Sequence, residues 1–455
     1  MMTDKKFLDA HLSLYTSKEY RMKLFRFFTL LLLLSGAAMA QDKPQAYIGA
    51  QIITISGQPI ANGVLVIHRG KIVAVGANGS TQIPADAQRH EVSGKVIMPG
   101  LIDSHSHIGG GSGGDASAPL QPDVRVMDSI NARDVGFQRA QAGGITTANV
   151  MPGSGHLLSG QTIYLKYRDG KTLDDLVIKD AQGTILGGMK MANGTNPIRT
   201  PGGAFPGTRS KSAALAREQF IKAQNYRNRV NQANGDKDKL PPRDLAMEGL
   251  LEVLDGKRVV HFHTHKAEDI LTALRLSKEF GFKIVLQHVS EAWKVADEIA
   301  KSGAPSSIIL IDSPGGKLET VDVSISNGAA LERAGALTGF HTDDNITDSR
   351  FFLRSAGLAV RAGMSREKAL YGLTMAGAIM LDLQSRLGSL ERGKDADFII
   401  LSGDPLSVYT RVLETHIDGV KVFDFSNPKD RLYALGGYGA TNGQQSHLHN
   451  DEENK

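Results

Sequence analysis

The chain has 455 residues, 41% hydrophobic and 22% charged, which is enough apolar material for a large globular core. Its formal charge of +4 comes mostly from residues 1–40, which hold six Lys/Arg and three Asp/Glu, so the rest of the chain is close to neutral. That balance, without a basic cluster, argues against nucleic acid as a partner, and the absence of cysteine excludes disulfides, thiolate ligands and a cysteine nucleophile.

The first forty residues have the pattern of an export signal. Lys23 and Arg26 precede an apolar run over 27–34, and Ala38-Met39-Ala40 provides a small–x–small cleavage pattern. Met22 is a second candidate for the initiating residue, because the stretch before it is polar. A transmembrane anchor is the alternative, but the run is shorter than the ~20 residues that a span requires. We expect a signal peptide over 1–40 and a periplasmic or secreted protein with no stable membrane anchor after cleavage.

Short strands separated by turn residues follow the signal and return near the end of the chain. They are predicted at 47–55, 63–68, 71–75, 398–401, 412–417 and 421–423. Two such groups flanking a long middle predict one small β-sandwich domain built from 41–97 and 387–430. The tail over 436–455 is rich in Gly, Asn, Gln and acidic residues, and it is predicted to be disordered.

The middle of the chain, 98–386, alternates apolar strands with amphipathic helices. Predicted strands are 283–287, 307–311 and 336–341, and predicted helices are 211–234, 291–301, 323–333 and 365–381. Repeated strand–helix units indicate a parallel sheet. A (β/α)8 TIM barrel fits this length better than a doubly wound sheet, which spacing alone leaves open.

Histidines and carboxylates fall at the ends of several predicted strands. His105 and His107 share one face of the segment PGLIDSHSH at 99–107, so both can reach one metal ion. The segment HFHTH spans 261–265, His288 ends the next strand, and Asp343 follows the last strand in HTDD at 341–344. Because catalytic groups of a barrel converge at the carboxyl ends of its strands, we expect these side chains to meet.

These segments resemble the amidohydrolase superfamily of metal-dependent hydrolases, in its imidazolonepropionase-like and prolidase-like branch. The similarity runs from about 45 to 425 and includes the 100–107 block and the closing segment GSLERGKDAD at 388–397. It implies a distorted eightfold barrel with a β-sandwich made from both termini.

The resemblance also implies roles for particular residues. His105 and His107 resemble the first-strand metal ligands, while His263, His288 and Asp343 resemble those of the fifth, sixth and last strands. Asp343 would also shuttle the proton. His261 and His265 are weaker candidates, and His156, His265 and His341 are expected to face the substrate.

In members with two metals, a carboxylated lysine or a glutamate bridges the ions. Lys190 is the first candidate for that bridge and Lys166 the second, whereas Thr195 stands where relatives commonly carry glutamate. Whether the site holds one ion or two therefore stays open.

The predicted function is hydrolysis of a C–N bond in a small amide, cyclic amide or peptide-like substrate by water that a divalent metal, first of all Zn²⁺, activates. An isomerase or decarboxylase on the same barrel and an inactive binding protein are the alternatives. Self-association into a homo-oligomer also stays open.

Overall fold

The structure is a computed structural model, and it describes residues 43–111, 114–199, 203–310, 317–344 and 346–436. The predicted export signal and all but the first residue of the predicted disordered tail lie outside the described residues. Within those ranges no helix is both long enough and apolar enough to cross a bilayer.

The strands are numbered in chain order. They are β1 (Gln45–Ile52), β2 (Ile60–His68), β3 (Lys71–Ala77), β4 (Gln88–Glu91), β5 (Val96–Pro99), β6 (Leu101–Ser106), β7 (Ile145–Val150), β8 (Leu158–Gln161), β9 (Ile163–Lys166), β10 (Met189–Ala192), β11 (Val260–Thr264), β12 (Ile284–His288), β13 (Ser306–Ile308), β14 (Thr338–Phe340), β15 (Phe398–Leu401), β16 (Val412–Ile417) and β17 (Val420–Asp424).

The α-helices are numbered in the same way. They are α1 (Gly136–Ala142), α2 (Leu173–Leu176), α3 (Arg209–Gln232), α4 (Leu245–Leu254), α5 (Ala267–Phe280), α6 (Ala296–Ser302), α7 (Asn327–Ala334), α8 (Phe352–Arg361), α9 (Arg366–Gly372), α10 (Met375–Met380) and α11 (Pro428–Leu435). Single turns of 3₁₀-helix lie at Val126–Ser129, Lys237–Lys239, Ala292–Lys294, Leu318–Thr320 and Ser349–Phe351.

One eight-stranded sheet is built from both ends of the chain. Its order is β17-β16-β15-β5-β1-β2-β3, with β4 also paired to β1. The two ends meet where β5 runs antiparallel to β15, with Ile97 opposite Ile400. The expected use of both termini is therefore observed, and the described strands form one continuous sheet. The domain boundaries at 97/98 and 386/387 stay a prediction.

The strands of the middle segment surround the predicted metal site. Strands β10 to β14 run parallel to one another, and β8 joins them antiparallel to β10. A second sheet holds β6 parallel to β7, with β9 antiparallel to β7. Thr162 alone separates β8 from β9, so the chain passes from one sheet to the other at this residue.

The arrangement is a TIM-barrel-like α/β fold, but the predicted closed ring of eight strands is not what the described strands form. After β14, the Asp343 amide donates to the His105 carbonyl of β6 at 2.9 Å, which joins the far edges of the two sheets through a loop. The ring opens into two sheets because the segment over 158–166 runs antiparallel and changes partner midway.

Two helices that precede parallel strands of the site end at glycine residues. Gly281 ends α5 with φ +74° and Gly335 ends α7 with φ +83°, a left-handed conformation that glycine adopts without the strain a Cβ would bring. The buried strands β12 and β14 begin within three residues of these glycines. Each strand therefore presents its carboxyl end, and the polar residues after it, to the same side.

The predicted helix over 365–381 is two helices. Ile102 in β6 donates its amide to the Leu373 carbonyl at 3.0 Å, and Thr374 has φ −133° and ψ −86°, outside helical values. The Leu373 carbonyl, which would accept the next hydrogen bond of α9, thus accepts one from β6 instead. Helix α9 ends there, and the separate helix α10 begins at Met375.

Candidate metal centre

Asp343 lies between the two histidines of the first barrel strand. Its Oδ1 is 2.9 Å from His107 Nε2 and 3.3 Å from His105 Nε2. His105 belongs to β6 and is buried, and the Met151 carbonyl fixes the His107 ring by accepting from Nδ1 at 2.8 Å. Asp343 has φ +49°, an unusual conformation for a non-glycine residue that turns its carboxylate back toward β6. The sequence prediction that these three side chains meet is consistent with this geometry.

His288 and His341 form a second pair beside this group. His341 Nε2 is 3.0 Å from His288 Nδ1, and Ser307 Oγ is 2.9 Å from His341 Nδ1. The ring of His341 stacks on that of His105 with centroids 5.0 Å apart. His341 is therefore inside the cluster itself.

His263 and His265 project from the end of β11 and lie close to His288. The ring centroids of His263 and His288 are 4.4 Å apart, and those of His265 and His288 are 5.0 Å apart. His261, on the same strand, is held by other partners: Tyr164 Oη is 3.2 Å from Nε2 and Gln287 Nε2 is 3.1 Å from Nδ1. Both nitrogens of His261 bond residues outside the cluster of histidines and Asp343, so His261 is poorly placed to bind a metal.

Lys190 is buried in β10 against the first group. Its Nζ lies 3.0 Å from His105 Nε2 and 3.0 Å from Met151 Sδ. Burial lowers the pKa of Lys190 to about 7, although the charge of Asp343 acts in the opposite direction. A substantial fraction of this amine is therefore uncharged at neutral pH.

Lys166, the second candidate for a bridge, has a different role. Its Nζ donates to Asp395 Oδ2 at 2.8 Å and to Asp397 Oδ1 at 3.0 Å, and it also bonds Asp418. All three aspartates lie next to strands of the eight-stranded sheet, so Lys166 joins that sheet to β9. The expectation of a bridging role for Lys166 is wrong, because three carboxylates already use its ammonium group.

His156 is buried and neither ring nitrogen has a hydrogen-bond partner among the described residues. Its ring lies 5.7 Å from that of Phe205, measured between centroids. That it faces the substrate stays a prediction.

Burial keeps the clustered histidines neutral. It lowers the pKa of His263 to about 4 and of His341 to about 3, and it holds the pKa of His105, His265 and His288 well below the ordinary value. Burial alone would raise the pKa of Asp343, but the hydrogen bond with His107 and the electrostatic effects of His107, His341 and Lys190 together outweigh it, and the pKa falls to about 2. At neutral pH these five histidines are uncharged and Asp343 is ionised, and these are the protonation states that ligate a metal.

The donor set fits a divalent metal. Three groups bring their ligand atoms within 4.8 Å of one another: His105 with His107 and Asp343, His105 with His288 and His341, and His263 with His265 and His288. Several of these nitrogens, namely His105 Nδ1, both nitrogens of His263 and His265 Nε2, are buried without a hydrogen-bond partner among the described residues. Buried polar atoms without partners are costly, and a metal ion would satisfy those that face it.

Sequence reasoning missed Glu319, which is buried close to His263 and His265. Its Oε1 lies 3.9 Å from Nε2 of each histidine, and its Oε2 accepts from the Thr195 amide at 2.7 Å. The Glu319 carboxylate thus contacts Thr195, the position at which relatives commonly carry a glutamate. No motif surrounds Glu319 in the sequence, so only the fold could reveal it.

A family model described as the amidohydrolase family matches residues 96–428, most of the chain. The chain belongs to the amidohydrolase family. This amidohydrolase is similar to the crystal structure of an amidohydrolase from Thermotoga maritima MSB8, with 32% sequence identity and a TM-score of 0.76, covering 83% of this chain and 99% of that one. The predicted superfamily is thereby confirmed, and so is an enzyme that hydrolyses C–N bonds.

Two curated relatives agree with this assignment. Amidohydrolase tasK from Hapsidospora irregularis is 27% identical over 393 residues, which cover 80% of this amidohydrolase but only 40% of the relative. An imidazolonepropionase from Pseudomonas savastanoi pv. phaseolicola is 24% identical over 408 residues, covering 83% of this chain and 91% of the relative.

Proposed function

We propose that this amidohydrolase hydrolyses a C–N bond of a small amide, cyclic amide or peptide-like molecule, with Asp343 as the residue that transfers the proton. The contact that carries the proposal is Asp343 Oδ1 within 3.3 Å of Nε2 of both His105 and His107. The ionised carboxylate of Asp343 therefore lies beside two nitrogens that we propose as metal ligands. The likeness to an imidazolonepropionase supports a small cyclic amide as one substrate class.

The residues proposed to hold the metal are His105, His107, Lys190, His263, His288 and Asp343, and zinc suits imidazole and carboxylate donors. A bound divalent ion supplies a nucleophile from water at neutral pH and polarises the substrate carbonyl.

Asp343 performs the two proton transfers of the reaction. With a pKa of about 2, it is ionised at neutral pH and can accept a proton from the attacking water. The same carboxyl then returns that proton to the leaving nitrogen as the C–N bond breaks. One group serves both steps because the proton moves in opposite directions before and after the tetrahedral intermediate.

His265 and His341 are proposed to orient the substrate. Ser290 Oγ contacts His265 Nδ1 at 2.8 Å and Ser307 Oγ contacts His341 Nδ1 at 2.9 Å, so a serine fixes each ring. A fixed imidazole lowers the entropic cost of holding a polar substrate.

The test compares turnover of a panel of simple amides, cyclic amides and dipeptides by the wild type and a His105→Ala/His107→Ala variant. We expect turnover of at least one substrate class by the wild type and its loss in the variant. His90→Ala, on β4 of the eight-stranded sheet, is the matched control and should keep activity. Metal-loaded wild-type protein that hydrolyses none of the panel would favour the binding-protein alternative, and isomerised or decarboxylated products would favour a non-hydrolytic enzyme.

We also propose export. The support is the basic–apolar–small pattern over 23–40. N-terminal sequencing of protein purified from the producing cell should begin at Gln41, and an intact N-terminus on cytoplasmic protein would refute export.

A further inference from the structure

A groove between α8, the loop from β15 to β16 and the end of α11 lies apart from the predicted metal centre. None of the proposed metal ligands lines it, and its volume is about 510 Å³. Leu435 and Val408, which both line it, are 63% and 90% exposed. Exposed apolar side chains that lie together in this way mark a contact surface. Other apolar residues of the lining are Leu353, Leu358, Leu406, Val412 and Phe425.

The charged residues that line the groove are all arginines, namely Arg350, Arg354, Arg361 and Arg411, and no described carboxylate lines it. Arg350 is paired with Asp348 at 2.5 Å, whereas the other three have exposed side chains. The guanidinium of Arg354 lies 5.4 Å from the centroid of the Phe351 ring. That of Arg411 lies 5.3 Å from the centroid of the Phe425 ring. The groove thus combines apolar surface with positive charge, which suits a segment that carries both apolar and acidic side chains.

The described part of the chain ends at this groove. Helix α11 ends at Leu435, and Gly436 follows with φ +77° and ψ −167°, a conformation that is essentially restricted to glycine. A Cβ built on Gly436 would lie 2.7 Å from Arg350 Nη1, so the backbone of Gly436 lies directly against this arginine. Residues 437–455 therefore start at the groove and do not have to cross the molecule to reach it.

The segment 437–455 has the chemistry that complements the groove. It carries Tyr438, two residues after Gly436, and an acidic run at 451–453. The stretch from Gly436 to this run can span about 50 Å when extended, whereas α8 is about 15 Å long. The acidic run can therefore reach back over the arginines. Because its composition gives the segment little apolar surface of its own, order in it depends on contact with another surface.

We propose that this groove is the docking site of the chain's own C-terminal segment, 437–455. Tyr438 packs against the apolar lining, and the acidic run at 451–453 pairs with Arg354, Arg361 and Arg411. Because the segment is covalently attached, it meets the groove at an effective concentration on the order of a millimolar, which weak contacts can exploit. A second copy of the chain meets the groove only at the concentration of the protein. The inference does not depend on the proposed function, since neither groove nor segment contains a proposed site residue.

The experiment measures the distance between the segment and the groove in the full chain. The chain has no cysteine, so two nitroxide labels can be attached at introduced cysteines alone. One label is placed at Tyr409→Cys, which adjoins the lining residues Val408 and Thr410 without lining the groove itself, and the other at Asn450→Cys, next to the acidic run. Pulsed electron–electron double resonance then gives the distance distribution. A docked segment gives a narrow distribution, whereas a flexible coil, with an r.m.s. extension of about 20 Å, gives a broad one.

Charge reversal tests the pairing from both sides. The tail variant is Asp451→Lys/Glu452→Lys/Glu453→Lys, and the groove variant is Arg354→Glu/Arg361→Glu/Arg411→Glu. The matched control is Lys211→Glu/Lys222→Glu/Arg229→Glu, three exposed basic residues of α3, a helix that does not line the groove. Tyr438→Ser tests the apolar contact without a change of charge. Circular dichroism checks folding, and the tail variant and Tyr438→Ser decide the matter if the groove variant does not fold.

We expect a narrow distribution in the wild-type background and in the α3 control at about 10 mM salt, where screening is weak. Each exposed ion pair shifts an equilibrium by up to about fivefold. Reversing three charges on one side should therefore lower the ratio of docked to undocked segment by about tenfold or more, and Tyr438→Ser should lower it as well. The tail and groove variants combined should restore the narrow distribution, which local damage to either part would not allow.

A broad distribution in the wild-type background, or a narrow one that survives both the tail variant and Tyr438→Ser, would overturn the inference. A folded combined variant that does not regain the narrow distribution, or an equal loss in the α3 control, would also overturn it. A narrow distribution in a mixture of singly labelled chains would show that the occupant is a second copy, and the inference would again be overturned.

Discussion

The two fully buried lysines of the barrel should respond in opposite ways to the same substitution. Lys166 and Lys190 are both 0% exposed, but Lys166 is bonded to three aspartates whereas Lys190 has neutral neighbours at hydrogen-bond distance. Lys166→Met leaves a group of buried carboxylates without its cation. Breaking a buried ion pair from one side costs about 3–5 kcal/mol of unfolding free energy. At roughly 1 °C per kcal/mol for a chain of this length, the thermal midpoint falls by about 3–5 °C.

Lys190→Met should leave metal-free protein as stable as the wild type or more stable. The folded-state pKa of Lys190 is about 7 and its ordinary value is 10.5, so the unfolded chain binds more protons between these values. The resulting penalty on the native state is complete below pH 7 and disappears as the pH rises toward 10.5. Removing the amine removes that penalty, on the order of a few kcal/mol at pH 7.

The pH dependence separates loss of the Lys166 ion cluster from a packing defect. Burial raises the pKa of Asp397 to about 6 even though Lys166 opposes the shift. Without Lys166 that pKa rises further, so native Asp397 retains its proton to higher pH and folding is penalised more at neutral and alkaline pH. The destabilisation by Lys166→Met should therefore be largest at pH 8 and shrink toward pH 5.

The assay is thermal and urea unfolding of metal-free wild type, Lys166→Met and Lys190→Met at pH 5, 7 and 8. Lys71→Met is the control, because Lys71 bonds Asp395 with a half-exposed side chain and such pairs contribute about 1 kcal/mol at most. Equal destabilisation by the two buried substitutions, or unchanged stability of Lys166→Met, would refute the reasoning.

Further outcomes are expected from single substitutions. Asp343→Asn should lower turnover by at least about 10²-fold, because the amide cannot accept the water proton. Its circular dichroism should stay native. Near-normal activity would remove Asp343 from this role. Gly187→Ala should lower the unfolding free energy by about 1–3 kcal/mol, since its Cβ would lie 2.0 Å from the Thr162 carbonyl oxygen. At Gly203, no described atom outside the neighbouring residues lies within 4 Å of the Cβ position, so Gly203→Ala should stay within about 0.5 kcal/mol of wild type. Equal effects of both substitutions in urea unfolding would contradict the packing argument.

The part of the site that could be predicted depends on local periodicity. His105 and His107 alternate along one strand end, and His288 and Asp343 each follow an apolar run, so their convergence needs only the rule that parallel strands share a carboxyl edge. The structure brings the three histidines together around the carboxylate of Asp343.

What could not be predicted depends on contacts between distant segments. Lys166 and Lys190 both stand in apolar strands, and only the partners 229 or more residues away show that Lys166 holds the eight-stranded sheet. Glu319 reaches the histidines from a turn 124 residues beyond Thr195. The break between α9 and α10 arises because Ile102 uses the Leu373 carbonyl, which helical periodicity cannot reveal.

The most direct test of the central claim is hydrolysis of the amide panel by the same protein sample before chelation, after chelation and after zinc is returned. The account predicts that turnover disappears with the metal and returns with it, while Asp343→Asn loaded with zinc stays inactive. Turnover that persists in protein shown by elemental analysis to contain no metal would contradict it.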